Sequence, residues 1–465
     1  MSSGLPFSPL TAISPLDGRY AARTSALPPL VSEFALIRYR VRVEIEWFLY
    51  LAALDEIADL PAPDAPQQAR LRRVWEDFDV DDAGHVRALE AETNHDVKAV
   101  EYFVKNAVVA ADEAFKPHIE FVHFACTSED INNLAYAMMM RDARESVLLP
   151  AMHRLIGALR DLGRPLAEVP MLSRTHGQAA SPTTVGKELA NVVARLDRQV
   201  ATLRDGEILG KMNGAVGNYN AHVAAYPHVD WPARCREFVT SLGLAFNEYT
   251  TQIEPHDHLA ELFHNLIRFN QIVLDFNRDA WGYIALGYFK QRLVSGETGS
   301  STMPHKVNPI DFENSEGNIG LANAILGHLA EKLAVSRWQR DLSDSTALRS
   351  VGSAFGHCLV AWDSASRGIA KIAIDQDCIG ADVGATWEVL SEAVQTVLRA
   401  AGGSEPYERL KRLTRGRQLD ETVYRALLNE LDLSPDDRDR LLRLTPEEYT
   451  GLAAQLARAV LGEGP

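Results

Sequence analysis

A polar stretch rich in glycine and serine holds the side chains best suited to chemistry in this chain. It runs from Ser295 to Glu313 and reads SGETGSSTMPHKVNPIDFE. Glycine lets the backbone approach a ligand closely, while Lys306 and Asn308 add a cation and an amide donor. Because ordering this stretch over an anionic substrate would exclude water, we predict a mobile loop that closes on a ligand and leads into a helix. A polar surface loop without a function is the alternative.

Histidines in two polar segments are candidate proton donors. A helix is predicted at 92–108 (ETNHDVKAVEYFVKNAV), with His95 in its polar opening, and a loop between helices at 171–182 (MLSRTHGQAASP), with His176 in it. A histidine can act as an acid because its pKa lies near neutrality. The alternative for the polar residues around His95 is helix capping, and the alternative for His176 is a loop histidine without a role.

Groups that could bind anions recur where helices and turns begin or end. A helix is predicted over 124–150, and it opens with Thr127 and Ser128, where free backbone amides and the helix dipole favour an anion. Arginines at two further places could reach a phosphate, although solvated surface charges explain them too. The first place follows the tight turn of TAISPLDGRY, where Arg19 stands next to Tyr20. The second is SRWQRDLSDSTALR at 336–349, which contains Arg337, Arg340, Ser345 and Arg349.

Long helices are the elements that would position these groups. Beyond Asp257, apolar residues alternate at spacings of three and four, as in a helix about 40 Å long that packs lengthwise in a bundle. Further long helices are predicted from Asp311, with small residues that allow close helix approach, and from Ser345 to Ile372. Helices of this length need other helices to pack against, so we expect bundle packing and oligomerisation. The sequence contains no convincing strand. The seam consists of Leu259, Leu262, Leu266, Phe269, Val273, Phe276, Ala280 and Tyr283.

Composition narrows the class of protein. The 465 residues are 46% hydrophobic and 24% charged, the balance of a soluble globular protein with more than one domain. The net charge of −16 argues against general affinity for nucleic acid or acidic lipid, so an anionic substrate needs a local basic pocket. No apolar run approaches the roughly 20 residues of a membrane span, and no signal peptide is apparent. We expect a cytoplasmic protein with reduced thiols, because no zinc or Cys-x-x-Cys spacing joins Cys126, Cys235, Cys358 and Cys378.

The ordered motifs of the chain form a set. They are SPLDGRY, TNHD, CTSEDINN, SRTHGQ, NGAVGNYNAH, TTQIEPHD, GSSTMPHKVNP and SRWQRDLSDSTALR. The GSS loop resembles the signature of the fumarase/aspartase superfamily. The whole set resembles the bacterial type of the adenylosuccinate lyase family, over most of residues 11–365, with a weaker match at 55–85 and near the C-terminal end.

This resemblance implies a fold and an activity. It implies an all-α, three-domain fold with an N-terminal helical domain at 1–115, a central long-helix bundle at 116–369 and a small helical domain at 370–465. The bundle would assemble into a homotetramer with active sites shared between subunits. The implied reactions release fumarate from adenylosuccinate, giving AMP, and from SAICAR, giving AICAR. No cofactor and no metal are implied, and the partners would be these small molecules.

The resemblance also implies roles for individual residues. Ser300 corresponds to the catalytic base and His176 to the acid, Glu313 would pair with His176, and His95 is expected near the reacting centre. The succinyl carboxylates and nearby groups would contact Thr127, Ser128, Gln252, Ser301, Lys306 and Asn308. The nucleotide phosphate and ribose would contact Arg19, Tyr20, Arg340, Ser345 and Arg349, and further contacts would come from Asn94, Asp96, Val307, Asn314, Thr346, Ala347 and Leu348.

The residue types suit the removal of a proton beside a carboxylate, except that the expected base is a serine. Removing a proton beside a carboxylate builds negative charge there, which Lys306, Asn308 and helix amides would stabilise. Serine, however, is a poor base in water, and from the residues alone His305 or His176 is the better candidate. Two other functions remain open at this point: another fumarate-releasing lyase, such as argininosuccinate lyase, and a helical scaffold without activity.

Overall fold

The structure is a computed structural model that describes residues 5–292, 303, 306–414 and 419–462. It is 66% helix and 5% strand, which confirms the predicted all-α class. The predictions that concern Ser300, Ser301 and His305 lie outside the described residues. Among the described residues, no helix is both long enough and apolar enough to cross a membrane.

Helices make up most of the described chain. In its first part they are α1 (Ala21–Thr24), α2 (Pro28–Val31), α3 (Glu33–Ala52), α4 (Ala65–Glu76), α5 (Val80–Thr93), α6 (Asp96–Ala111), α7 (Ser128–Ala143), α8 (Leu149–Gly163), α9 (Val185–Asp205), α10 (Asn220–Ala225), α11 (Trp231–Ser241) and α12 (Asp257–Ala285). In its second part they are α13 (Ile310–Leu333), α14 (Ser343–Leu348), α15 (Val351–Ala370), α16 (Gln376–Gly384), α17 (Ser391–Ala400), α18 (Pro406–Thr414), α19 (Glu421–Glu430), α20 (Pro435–Arg443) and α21 (Ala453–Leu461).

Short strands form three pairs within the described residues. Two pairs are antiparallel, β1 with β2 and β5 with β6, and the pair of β3 with β4 is parallel. The strands are β1 (Pro170–Thr175), β2 (Gln178–Thr184), β3 (Leu209–Gly210), β4 (Ala245–Phe246), β5 (Phe289–Gln291) and β6 (Ile372–Ile374).

The chain folds into two compact units. The first contains residues 1–152, 199–271 and 317–361, and the second contains residues 153–198, 272–316 and 362–465. The division into three domains stays a prediction.

Helix α3 is the centre of the first unit. Ser32 caps it by accepting a hydrogen bond from the backbone N–H of Ala35, as its sequence predicts. Most of the helix is buried on all sides, and the Trp47 ring lies 4.8 Å from the ring of Phe238 on α11. Two of its charged side chains, Arg40 and Glu44, are buried too, and Arg40 contributes to the candidate site described below.

The prediction that a helix ends near Pro150 is wrong. Helical structure continues from α7 through a wide π-helical turn at Arg144–Leu148 and then into α8. Proline lacks the N–H of a regular helix and crowds the preceding turn, and a widened turn relieves that conflict without ending the helix.

The periodic seam predicted the longest helix correctly. Helix α12 has 29 residues, about 43 Å at 1.5 Å per residue, and every seam side chain is buried except Tyr283, which is half-buried. Helix α13 also confirms its prediction. The helix predicted from Ser345 to Ile372 is instead two helices, α14 and α15, separated by Arg349 and Ser350.

A β-hairpin in the second unit corrects the expectation of a loop at 171–182 and of no strands. Strands β1 and β2 pair from Pro170 with Thr184 to Thr175 with Gln178. The turn between them is His176-Gly177, and helix α9 starts after the hairpin, at Val185. The hairpin escapes sequence analysis because its outer half is exposed and polar and lacks the apolar alternation of a typical strand.

Candidate active site

The start of α7 belongs to the first unit and presents Thr127 and Ser128. Both residues are half-buried, and Thr127 is in extended conformation directly before the helix. The carboxylate of Asp130 accepts a hydrogen bond from the Thr127 N–H at 2.8 Å, which holds this end of the helix. The arrangement keeps the remaining amides of the first turn pointing along the helix axis, where the dipole favours an anion.

Arg340 gathers several predicted residues around its guanidinium. Its Nη2 donates to Glu129 Oε1 at 2.8 Å and to Ser345 Oγ at 3.4 Å, and its Nη1 donates to Gln252 Oε1 at 3.3 Å. Burial raises the pKa of Glu129, and the charge of Arg340 opposes that shift. Three predicted residues from distant parts of the chain, Gln252, Arg340 and Ser345, therefore share one hydrogen-bonded cluster.

Arg349 belongs to a second cluster in the same unit. Its Nη2 donates to Asp96 Oδ2 at 3.2 Å and its Nε donates to Glu33 Oε2 at 3.3 Å. Burial opposes ionisation of Asp96, but the neighbouring guanidinium of Arg40 outweighs burial and lowers the pKa of that carboxyl group. The Arg40 Nη2 lies 2.8 Å from Asp96 Oδ2 and is almost fully buried.

The two arginine clusters are linked. Arg40 Nε donates to Asn132 Oδ1 at 2.8 Å, and Asn132 Nδ2 donates to Glu129 Oε1 at 2.8 Å. An unbroken network thus runs from Arg349 through Asp96, Arg40, Asn132 and Glu129 to Arg340. We call it the arginine network. Arg40, Asn132 and Glu129 were not among the predicted site residues, although Glu129 and Asn132 stand in the CTSEDINN motif.

His95 lies next to this network and caps α6. Its Nδ1 accepts the N–H of Lys98 at 3.1 Å, so the neutral ring carries its proton on Nε2. The side chain is 52% exposed, which leaves Nε2 accessible to a ligand. Asn94, just before it, ends α5 in the left-handed conformation with φ of +51°. The capping interpretation is therefore correct for His95, and it leaves one nitrogen for chemistry.

The remaining predicted residues of the first unit lie in the N-terminal segment and in α14. Arg19 is exposed and Tyr20 is half-buried, and both follow the turn at Gly18, where a Cβ atom would lie 2.6 Å from the Pro9 carbonyl oxygen. Nearby residues of this N-terminal segment and Arg349 line a cavity of about 220 Å³. Thr346, Ala347 and Leu348 form the last turns of α14, and the Leu348 side chain is buried.

A buried acidic group supports the Gln252 loop, and sequence analysis missed it. Glu254 is 1% exposed, accepts from Asn247 Nδ2 at 2.7 Å and from the His256 N–H at 2.8 Å, and lies 3.0 Å from His258 Nδ1. Burial disfavours its charge, but His258, His256 and Asn247 outweigh burial and lower its pKa to about 2. The motif TTQIEPHD contains Glu254 and His256, so the motif was visible although the role of Glu254 was not.

His176 belongs to the second unit and occupies the hairpin turn. His176 has φ of +54° and Gly177 has φ of +74°, the combination that a type I′ turn requires. The imidazole is exposed at the tip. Two residues before it, Arg174 on β1 bonds to Tyr288 and to Asp382 on α16, and Tyr288 also bonds to Asp382, which fixes the outer part of the hairpin.

The second unit also holds the segment that leads into α13. Gln291 Nε2 donates to the Val307 carbonyl at 2.7 Å, which anchors Lys306 and Asn308 on either side of it. Lys306 is exposed and Asn308 is half-buried, so both side chains can reach a ligand. Farther along, Asn314 Oδ1 accepts from Ser364 Oγ at 2.7 Å.

Glu313 is exposed in the first turn of α13. Within the residues that the structure describes, no ion pair joins His176 and Glu313, and their predicted pairing stays a prediction. In the same described part of the chain, no group of three or more His, Cys, Asp or Glu side chains is arranged to hold a metal ion.

Comparisons with known proteins identify the family. A family model described as lyase matches residues 18–327, and one described as adenylosuccinate lyase C-terminal matches residues 336–450. The adenylosuccinate lyases of Vibrio cholerae and Escherichia coli K12 are each 53% identical to this chain, over 450 and 446 residues, which are 97% and 96% of this chain and 98% of each relative.

Solved structures agree with the fold. The 3-carboxy-cis,cis-muconate lactonizing enzyme from Pseudomonas putida matches with a TM-score of 0.70 at 21% identity, over 94% of this chain and 96% of that one. A fumarate lyase from Mesorhizobium matches with a TM-score of 0.72 at 17% identity, over 94% of this chain and 97% of that one. Fold and family model together define a lyase of the fumarase/aspartase superfamily. Within it, the chain belongs to the adenylosuccinate lyase family.

Proposed function

We propose that this chain eliminates fumarate from adenylosuccinate, releasing AMP, and from SAICAR, releasing AICAR, as a carbon–nitrogen lyase of purine synthesis in the cytoplasm. The observation that carries the proposal is the arginine network, which joins Arg349 and Arg340 with Ser345 and Gln252 in one hydrogen-bonded array. A lyase whose substrate lacks phosphate would have no use for two such arginines. The name of its 53% identical relatives agrees with this substrate.

The reaction needs a base and an acid on opposite sides of the bond that breaks. Ser300 takes a proton from the carbon beside a carboxylate of the succinyl arm and leaves the electron pair of the C–H bond on that carbon. This pair forms the carbon–carbon double bond as the C–N bond breaks, and His176 gives a proton to the leaving nitrogen. Both substrates share this succinyl arm attached to nitrogen, so one site serves both reactions.

Charge on the succinyl arm is greatest after the first proton leaves. Thr127 and Ser128 at the start of α7, together with Gln252, Lys306, Asn308 and Ser301, bind the carboxylates. These donors stabilise the carbanion-like transition state more than the substrate, which is what accelerates the reaction. Glu313 orients the His176 ring, and His95 Nε2 donates near the reacting centre.

The nucleotide half binds at the arginine network. Arg340, Ser345 and Arg349 bind the phosphate, with Arg19 and Tyr20 from the N-terminal segment that adjoins the cavity at Arg349. Asn94, Asp96, Val307, Asn314 and the last turns of α14 (Thr346, Ala347 and Leu348) complete the contacts.

We further propose that the enzyme is a homotetramer with shared active sites. One face of α13 supports this, because Gly317, Gly320 and Ala324 are exposed there and Leu321 is 53% exposed. A Cβ atom added at Gly317 or Gly320 would meet nothing within 4 Å. Such a face lets a helix of another copy approach closely. The exposed His176 is then free to serve a neighbouring subunit.

The first test is the release of fumarate. The purified chain should convert adenylosuccinate, followed by the ultraviolet absorbance of fumarate, whereas argininosuccinate, malate and aspartate should give none. Fumarate released from argininosuccinate and not from adenylosuccinate would contradict the substrate. No release from any of them would support a scaffold instead.

The second test concerns the base. Ser300→Ala should lose most turnover, on the order of 100-fold or more, while calorimetry still detects adenylosuccinate binding. Two variants of the same loop are the controls: Ser301→Ala should mainly raise KM, and His305→Ala should keep most turnover. Near-normal turnover of Ser300→Ala with a collapse in His305→Ala would assign the base to the histidine.

A further inference from the structure

An ion pair in the first unit is completely buried and has no role in the chemistry above. Lys211 Nζ lies 3.0 Å from Asp130 Oδ1, and both side chains have 0% exposure. Removing two charges from water is costly, and an apolar pair of similar volume often stabilises a fold as well or better. Stability alone therefore does not account for this choice of residues.

Asp130 uses both of its oxygens to join two pieces of backbone. Oδ2 accepts the N–H of Thr127 at 2.8 Å, and Oδ1 accepts the N–H of Asn213 at 3.0 Å. The Gly214 N–H donates to both oxygens, at 3.3 and 3.2 Å. The carboxylate thereby fixes the start of α7 against the turn of the NGAVGNYNAH motif.

Lys211 extends the same connection to a third piece. Its Nζ donates to the Gly214 carbonyl at 2.9 Å and lies 3.5 Å from the Thr251 carbonyl. Thr251 directly precedes Gln252, whose side chain accepts from Arg340. The position of Lys211 is itself fixed, because its backbone N–H and carbonyl both bond to the Asn133 side chain, at 2.8 and 3.0 Å.

We infer that the Lys211–Asp130 pair is a positioning unit that sets the distance between the Thr127–Ser128 end of α7 and the Gln252 loop. It rests on the proposed function, in which these two segments bind the carboxylates of the succinyl arm. An ammonium group with three donors and a carboxylate with two acceptor oxygens can hold three backbone segments in register, which an apolar pair cannot do. The inference concerns the fumarate half of the substrate and not the nucleotide half.

The ratio of fumarate binding to AMP binding distinguishes positioning from a purely structural role, which would leave that ratio unchanged. Fumarate and AMP are the separate products, and calorimetry measures the binding of each without turnover. In Lys211→Met, fumarate binding should weaken about tenfold, as expected for one misplaced carboxylate contact of roughly 1.4 kcal/mol, and KM for adenylosuccinate should rise by a similar factor. AMP binding should stay within about twofold.

The double variant Lys211→Met/Asp130→Asn separates positioning from stability. Lys211→Met leaves a buried carboxylate unpaired and should unfold at lower urea concentration, while the double variant should recover much of that loss. We expect its weak fumarate binding to persist. The control is Lys105→Met, in which a lysine paired with Glu101 and Glu120 is removed elsewhere in the same unit. It should lose stability without changing the fumarate to AMP binding ratio.

Several results would overturn the inference. Normal fumarate binding in the double variant would make the pair structural, and so would an equal loss of fumarate and AMP binding. Failure of both variants to fold would also overturn it, because the pair would then be needed for the fold itself. Absence of turnover in the unmodified enzyme would instead contradict the proposed function, whatever the binding ratio.

Discussion

Replacing His176 by asparagine separates its chemical role from its place in the hairpin turn. At φ of +54° the residue must adopt the left-handed conformation, which asparagine tolerates and alanine does not. Loss of a general acid typically reduces turnover by about 10²- to 10⁴-fold. We therefore expect His176→Asn to lose turnover by that factor while the urea midpoint of unfolding stays unchanged.

His176→Ala provides the comparison. It removes the same proton donor, so its loss of turnover should match that of His176→Asn. It should also be less stable than His176→Asn, because the left-handed region costs an L-residue roughly 1–2 kcal/mol and asparagine tolerates it better than alanine does. The assays are fumarate release at saturating substrate and urea unfolding followed by circular dichroism. Turnover near normal in His176→Asn would refute the assignment of the acid, and equal stability of the two variants would refute the role of the turn.

Two further substitutions test the first unit. Because the pKa of Glu254 is lowered to about 2 from an ordinary 4.5, its charge stabilises the fold above about pH 4.5 and this stabilisation is lost as pH falls toward 2. Glu254→Gln should therefore lose on the order of 3 kcal/mol at pH 7 and progressively less in urea unfolding below pH 4.5, and a loss independent of pH would contradict this. Arg349→Met should weaken AMP binding by roughly 10- to 150-fold, the effect of one charge-assisted hydrogen bond of about 1.5–3 kcal/mol, while fumarate binding measured by calorimetry stays unchanged. Equal weakening of both ligands would exclude Arg349 as a phosphate ligand.

The fold was predictable where local periodicity and burial agree. Helix α12 has a seam at spacings of three and four, and that seam is buried along nearly its whole length. The hairpin of β1 and β2 was missed because its exposed outer half shows no alternation of apolar and polar residues. In addition, histidine followed by glycine indicates a hairpin turn less strongly than asparagine followed by glycine. The π-helical turn before Pro150 was missed because a proline is normally where a helix ends.

Sequence motifs contain several of the proposed contact residues, whereas the residues that support them were not predicted. Gln252, Arg340 and Ser345 stand in motifs, and the structure brings them together. Asn132 and Glu129 connect them to Arg40, which lies 92 residues from Asn132 in the chain. Contacts of that range leave no periodic signal in a single sequence, so supporting residues become visible only in the folded chain.

In the proposed function, a chain of charge −16 binds a polyanion at arginines that are already paired with carboxylates. Arg340 and Arg349 each contact a carboxylate, so their charges are partly compensated before a ligand arrives. The carboxylates also hold each guanidinium in one orientation, and little side-chain freedom is then lost when a phosphate binds. For this proposed site, the orientation of the guanidinium groups rather than long-range attraction is therefore the basis of recognition, since the net charge of the chain is negative.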